Sequence, residues 1–218
     1  MIGVLGGTFD PIHFGHLRPA LELLQSVPLR EIRFIPLKVA VHRPQPVADA
    51  VLREAMLQAA VAGQEGFFVD GRELHRSGPS YTYDTLRSLR QEMGAAMPIS
   101  LLLGSDAFAD FLSWHRPQGI LEMAHLIVMQ RPGQEIRGPE RLRAWSAPKL
   151  CGGAAELTKG PGGRILVREV TQLTISATGI RDLVLRGLSP RYLLPDAVIE
   201  IIRREGLYRR SPNVPRKD

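Results

Sequence analysis

The sequence predicts an α/β fold, a doubly wound parallel sheet in a single domain, and three observations lead there. Apolar, strand-like runs alternate with amphipathic helical patterns along the chain, and such alternation builds parallel βαβ units with right-handed crossovers. The chain has 218 residues, 44% of them hydrophobic, enough for one substantial core. A glycine pair, Gly6-Gly7, closes the first apolar run where a helical pattern begins, and open parallel sheets bind ligands beyond such strand ends.

The elements follow in order. Met1–Leu5 is an apolar first strand, and Leu17, Ala20, Leu21 and Leu24 mark a helix over about 16–26. Glu31–Pro36 reads as the second strand, Phe67–Asp70 as the third, Ile99–Leu103 as the fourth, His125–Gln130 as the fifth and Ile165–Val170 as the sixth. Helical patterns lie at about 49–62, 82–93 and 105–112, with 177–187 and 195–205 forming a small C-terminal helical part. Prolines stiffen Leu37–Val47 and prevent regular structure there. Glycines at 152–153 and 160–163 mark 147–164 as a surface loop. The domain is expected to span 1–208, leaving a basic 209–218 tail without fixed structure.

Composition narrows the function. Net charge is +6, and the tail holds four basic residues against one acid. The remaining excess is scattered, which suits an enzyme of polyphosphate nucleotides. No aromatic interleaving or recognised motif points to a nucleic-acid module, so no specific nucleic acid is expected. A single cysteine, Cys151, excludes an intrachain disulfide and a multi-cysteine zinc site and fits a reducing cytoplasm. The apolar start is too short and uncharged for a signal peptide, and no run reaches membrane-spanning length, so no membrane partner is expected.

Residues 6–16, Gly6-Gly7-Thr8-Phe9-Asp10-Pro11-Ile12-His13-Phe14-Gly15-His16, form the first chemical motif. Two glycines let backbone approach a ligand. The helix start beyond them offers unpaired N–H groups and a positive dipole end. His13 and His16 are three apart and share one helix face. The combination suits a nucleotide phosphate. The dinucleotide pattern G-x-G-x-x-G is absent, against a nicotinamide-cofactor dehydrogenase. H-x-x-H could be a metal pair, yet no third ligand follows at convincing spacing, and no metal-ligand set is assigned.

A second motif is Ile175-Ser176-Ala177-Thr178-Gly179-Ile180-Arg181. Ser176 or Thr178 can cap the helix that follows, and Arg181, on the face of Thr178, can fork onto phosphate oxygens. Alone this also describes an ordinary capped helix. Together, about 160 residues apart, the two motifs resemble those of the H-x-G-H nucleotidyltransferases, and specifically the bacterial nicotinate-nucleotide adenylyltransferases. The resemblance runs from about Ile2 to Arg209 and implies a Rossmann-like sheet of the nucleotidyltransferase type.

The resemblance also implies a set of roles. Gly6, Gly7, Thr8, Phe9, His13, His16, Gly104, Asp106, Ser176, Thr178 and Arg181 would bind ATP, with His13, His16 and Arg181 catalytic. Nicotinate mononucleotide would meet Lys38, His42, Arg43, Ser80, Tyr81, Thr82, Trp114 and Arg131. Asp106 also reads as a helix-start carboxylate, and Ser80-Tyr81-Thr82 as a polar helix start with a Ser or Thr cap. Trp114 would by default be a core tryptophan; in the family it stacks on the pyridine ring, a use that suits a flat aromatic face. The family's usual Pro-Pro-His-Lys is replaced here by Ala40-Val41-His42-Arg43. The implied reaction joins the adenylyl group of ATP, carried with Mg²⁺, to nicotinate mononucleotide, giving deamido-NAD and pyrophosphate. A preference for nicotinamide mononucleotide is the same-class alternative; a non-catalytic nucleotide- or RNA-binding protein on this fold is the other.

Overall fold

The computed structural model describes residues 1–39, 45–131, 133 and 138–209. Strands β1 (Ile2–Gly7), β2 (Glu31–Pro36), β3 (Phe67–Val69), β4 (Ile99–Gly104), β5 (His125–Gln130) and β6 (Ile165–Glu169) form one parallel sheet. Their order is β3-β2-β1-β4-β5-β6. The chain therefore winds outward from β1 on one side, returns, and winds outward again from β4. The β1–β4 boundary is the switch point beside which such sheets take ligands. Pairing between them stops at Val4 with Leu101, while the strands run on to Gly7 and Gly104. The two carboxyl ends thus part at the switch point.

Alternate strand residues feed opposite faces. Leu5, Ile32, Phe34, Leu102, Ile127 and Met129 pack on one side with α1 (Phe14–Ser26), α2 (Ala50–Val61), α8 (Ala177–Leu185) and α9 (Asp196–Arg204). Ile2, Val4, Ile35, Leu101, Leu103, Leu126 and Val128 pack on the other. There they meet α4 (Thr82–Met93), α5 (Ser105–Ala109), α6 (Pro117–Met123) and α7 (Glu140–Ser146). The C-terminal helices share the first core, so they belong to the same domain as the sheet.

Several elements depart from the sequence expectation. The third strand ends at Val69, and α3 (Arg72–His75) follows it. The helix expected over 105–112 breaks into α5 and a 3₁₀ turn at Phe111–Ser113. The expected surface loop at 147–164 contains 3₁₀ turns at Ala147–Lys149 and Ala154–Thr158, and Leu157 is fully buried from it. One of its glycines serves packing: a Cβ on Gly162 would lie 2.6 Å from the Ala124 backbone nitrogen.

Candidate active site

The loop between β1 and α1 is built around Phe9. Its φ of 48° turns the ring inward, where it is buried, edge-on to His16 at 5.3 Å and against Phe34 at 6.1 Å. A Cβ on Gly7 would come within 2.9 Å of that ring, so the second glycine makes room for the Phe9 side chain beneath the loop. The ring of Phe9 is accordingly a floor under His16. Gly6 is exposed, with open space where a Cβ would stand.

His13 caps α1 with backbone only, and no side chain caps the helix start. The rings of His13 and His16 lie 3.8 Å apart, on one face as their spacing requires. His13 is buried and His16 half-buried, and the Nδ1 atom of each is buried without a hydrogen-bond partner. Burial holds His13 down at about 4; burial and the neighbouring His13 bring His16 down to about 3. Both imidazoles are therefore neutral near pH 7, each with a polar atom awaiting a partner.

The second motif closes over the first. Ser176 caps α8 by accepting from the Gly179 amide at 3.1 Å. A Cβ on Gly15 would sit 2.9 Å from the His13 ring and 3.3 Å from the Ile175 carbonyl, so the glycine of H-x-G-H is where the two motifs touch. Arg181 donates through Nη2 to Thr178 Oγ1 at 3.2 Å and through Nη1 to the Asp10 carbonyl at 2.7 Å. Its guanidinium bridges the motifs and stays partly exposed.

Three residues without an assigned role in the sequence reading hold this loop. Asp10 is buried, and its carboxylate accepts from the amides of Val47 at 2.7 Å and Ala48 at 3.2 Å and from the Tyr208 hydroxyl at 2.6 Å. Arg53, fully buried, donates to the carbonyls of Thr8 at 2.9 Å and Ala48 at 3.1 Å. The signal for Arg53 is that it stands in the buried stripe of α2 with Met56, Leu57 and Val61. Asp10 lies inside the quoted motif; Tyr208 has no local signal at all.

A second wall stands beyond β2. The Lys38 amide donates to Ser80 Oγ at 3.0 Å, the Val39 amide at 3.4 Å, and Lys38 Nζ to the Arg76 carbonyl at 3.2 Å. Ser80 is thus spent on the β2 loop. The expected Ser or Thr cap of α4 is corrected: Tyr81 takes the cap position without a side-chain bond, and Thr82 is the first helical residue. Trp114 is half-buried against Phe111, 5.5 Å between rings. His115 stacks on Tyr81 at 4.5 Å, joining the Trp114 segment to the α4 start. Gly104 and Asp106 lie at the β4–α5 junction, with Asp106 exposed in the first turn of α5. Arg131 at the end of β5 donates to Gln172 Oε1 at 3.1 Å. His42 and Arg43 lie outside the described residues.

The cytidylyltransferase-like family profile matches residues 4–183. A Methylococcus capsulatus protein named probable nicotinate-nucleotide adenylyltransferase is 47% identical over 209 residues, covering 95% of this chain and 99% of the relative. The chain belongs to the nicotinate-nucleotide adenylyltransferase family. A relative of the same name from Pseudomonas fluorescens is 46% identical over 212 residues, covering 97% of this chain and 98% of its own. Solved structures of Plasmodium falciparum nicotinic acid mononucleotide adenylyltransferase complexed with NaAD and with APC have TM-scores of 0.70 and 0.67. Each is 17% identical and covers 95% of this chain and 96% of its own. That likeness concerns the fold.

For a member of this adenylyltransferase family the donor set is informative. Among the described residues no three His, Cys, Asp or Glu side chains gather to hold a metal. The one buried carboxylate in the cradle, Asp10, is already met by three donors. What the cradle offers is two neutral imidazoles and a guanidinium, which suit phosphate oxygens, while the Phe14 and His16 amides at the α1 start already donate to the Leu193 and His13 carbonyls. No described helix is long and apolar enough to cross a membrane.

Proposed function

We infer that the chain transfers the adenylyl group of ATP to nicotinate mononucleotide, giving deamido-NAD and pyrophosphate, in NAD biosynthesis in the cytoplasm. One observation carries this reading: H-x-G-H and I-S-A-T-x-x-R meet at Gly15 and Ile175, with Arg181 bonded to the Asp10 carbonyl, in one cradle beside the β1–β4 switch point. The attacking group is the 5′-phosphate of the mononucleotide, already anionic at neutral pH, so no general base is required. One of its oxygens bonds to the α-phosphorus of ATP as the bond to the β-phosphate oxygen breaks, and pyrophosphate departs with the electron pair. Catalysis then rests on positioning and charge stabilisation.

His13 and His16 face the α- and β-phosphates in this reading, and Ser176, Thr178 and Arg181 the β- and γ-phosphates. Lys38, His42 and Arg43 neutralise the mononucleotide side, and Trp114 takes the pyridine ring. Mg²⁺ arrives as part of the ATP substrate, held by phosphates and water, in keeping with its reluctance to dehydrate. The test is pyrophosphate release from MgATP with each mononucleotide, in wild type and His16→Ala. The acid is expected to support turnover, and the variant to lose about 10²–10³ in kcat with little change in the KM for ATP. A folded His16→Ala protein with near-normal kcat would remove that histidine from the mechanism.

A further inference from the structure

Tyr208 lies almost two hundred residues from the phosphate loop in sequence, yet its hydroxyl reaches the centre of it. The Leu207 amide donates to the Ile202 carbonyl at the end of α9, and Tyr208 follows with a left-handed φ of 62°. Ile199 and Ile202 of that helix are buried in the core, so the turn leaves from a fixed base. The ring is buried at 8% exposure, and Oη donates to Asp10 Oδ1 at 2.6 Å. Among the described residues Arg53 and Arg181 are cations that act on Tyr208, yet burial and the carboxylate beside it push the phenol far above its ordinary range, so Tyr208 is a permanent donor.

What Asp10 does next gives this contact its meaning. The Asp10 carbonyl holds Arg181 Nη1 at 2.7 Å, whereas Asp10 Oδ2 is 3.9 Å from that same nitrogen. The guanidinium is therefore hydrogen-bonded by the backbone of Asp10, while its carboxylate stands at the long edge of ion-pair distance. With Val47, Ala48 and Tyr208 all donating, the carboxylate has little call on a further donor. Removing the Tyr208 hydroxyl leaves Oδ1 with only the 3.2 Å bond from Ala48. A buried carboxylate short of a donor attracts a further one; Arg53 is tied to two carbonyls, whereas Arg181 Nη1 already stands 3.9 Å from Oδ2 of the same carboxylate.

We propose that Tyr208 is a positioning residue for adenylyl transfer: by satisfying Asp10, it keeps the Arg181 guanidinium free for the triphosphate. The proposal rests on the function inferred above. It is tested with Tyr208→Phe in the full chain, reading the affinity for a non-hydrolysable ATP analogue in the absence of mononucleotide, then kcat and both KM values. Tyr208→Phe is expected to stay folded, to bind the analogue about 10-fold more weakly and to lose kcat by a similar factor. The KM for the mononucleotide should hardly move. In an Arg181→Ala background the same change should have no further effect on analogue affinity, because its target is gone. Incorporating 3-fluorotyrosine at position 208 restores the donor and should restore affinity.

Wild-type analogue affinity in Tyr208→Phe would overturn the proposal, as would an undiminished loss in the Arg181→Ala background. A Tyr208→Phe chain that fails to fold would overturn it too, by assigning the hydroxyl to the fold. Wild-type protein that binds the analogue but forms no deamido-NAD would instead fail the functional reading and leave the Tyr208 result to stand on binding.

Discussion

The rings of His13 and His16 lie with centroids 3.8 Å apart and planes tilted by 34°, and neither Nδ1 has a partner. Two imidazoles so placed cannot both be protonated cheaply, and burial places His13 at about 4 and His16 at about 3. Below the ordinary histidine value of about 6.5, the unfolded chain binds protons that the folded chain refuses. Stability is therefore expected to fall as pH drops from about 6.5 through those values, and buried His125, also lowered, adds in the same direction. A polyphosphate has the opposite effect, favouring the imidazolium form. Binding of ATP at about pH 5 should take up protons. Calorimetry in two buffers of different ionisation enthalpy measures this, and identical apparent enthalpies would mean the phosphates meet neutral rings.

Gly15 is expected to be intolerant of a methyl group. The His13 ring, 2.9 Å from the added Cβ, can turn, but turning disturbs its close contact with His16; the Ile175 carbonyl at 3.3 Å is backbone. Gly15→Ala should cost about 1–3 kcal/mol in stability and more than about 10-fold in kcat, because both phosphate motifs must shift. Thermal melts and steady-state kinetics on one preparation separate the two effects. Unchanged kcat would show that the motifs need no such close approach.

Arg53→Met tests the hidden support of the loop. Methionine fills much of the volume but leaves the carbonyls of Thr8 and Ala48 without their buried donor. A loss of about 2–4 kcal/mol is expected in urea unfolding, with a raised KM for ATP. Arg53→Lys should recover part of it, since an ammonium can reach one carbonyl but not fork between two. Stability equal to wild type in Arg53→Met would mean the loop does not depend on Arg53.

The strands were legible because their apolar runs are buried on both faces, as at Leu101–Leu103, where successive residues enter opposite cores. The meeting of the two motifs was legible because its pieces are local: a glycine, two histidines and a capped helix each sit within one turn. Asp10, Arg53 and Tyr208 were not, since their meaning lies in contacts between residues far apart in sequence. Helices α6 and α7 span only seven residues each, too short for a periodic pattern to emerge. At Ser80 the local rule gave the wrong partner: a serine before a helix is a good cap, but the amides of Lys38 and Val39 claim its hydroxyl first.

That diversion of Ser80 bears on the choice between nicotinate and nicotinamide. With Ser80 bonded to the β2 loop and Tyr81 in the cap position, no side chain caps the first turn of α4. The amides of Asp84 and Thr85 donate to the Tyr81 carbonyl, and the N–H groups before them, at the positive dipole end, are the ones a helix leaves without an intrahelical partner. Trp114 and the His115–Tyr81 stack stand beside them. A carboxylate accepts from such donors with both oxygens; a carboxamide turns its own N–H groups toward one of them and leaves it unpaired. Hydrogen bonds to charged groups contribute about 1.5–3 kcal/mol net. That predicts a preference of about 10- to 150-fold in kcat/KM for the acid. Trp114→Ala should weaken both mononucleotides while leaving their ratio nearly unchanged, since ring stacking does not distinguish the substituent. Both kcat/KM values at saturating MgATP decide the matter. Parity, or preference for the amide, would mean that the α4 start does not receive the carboxylate.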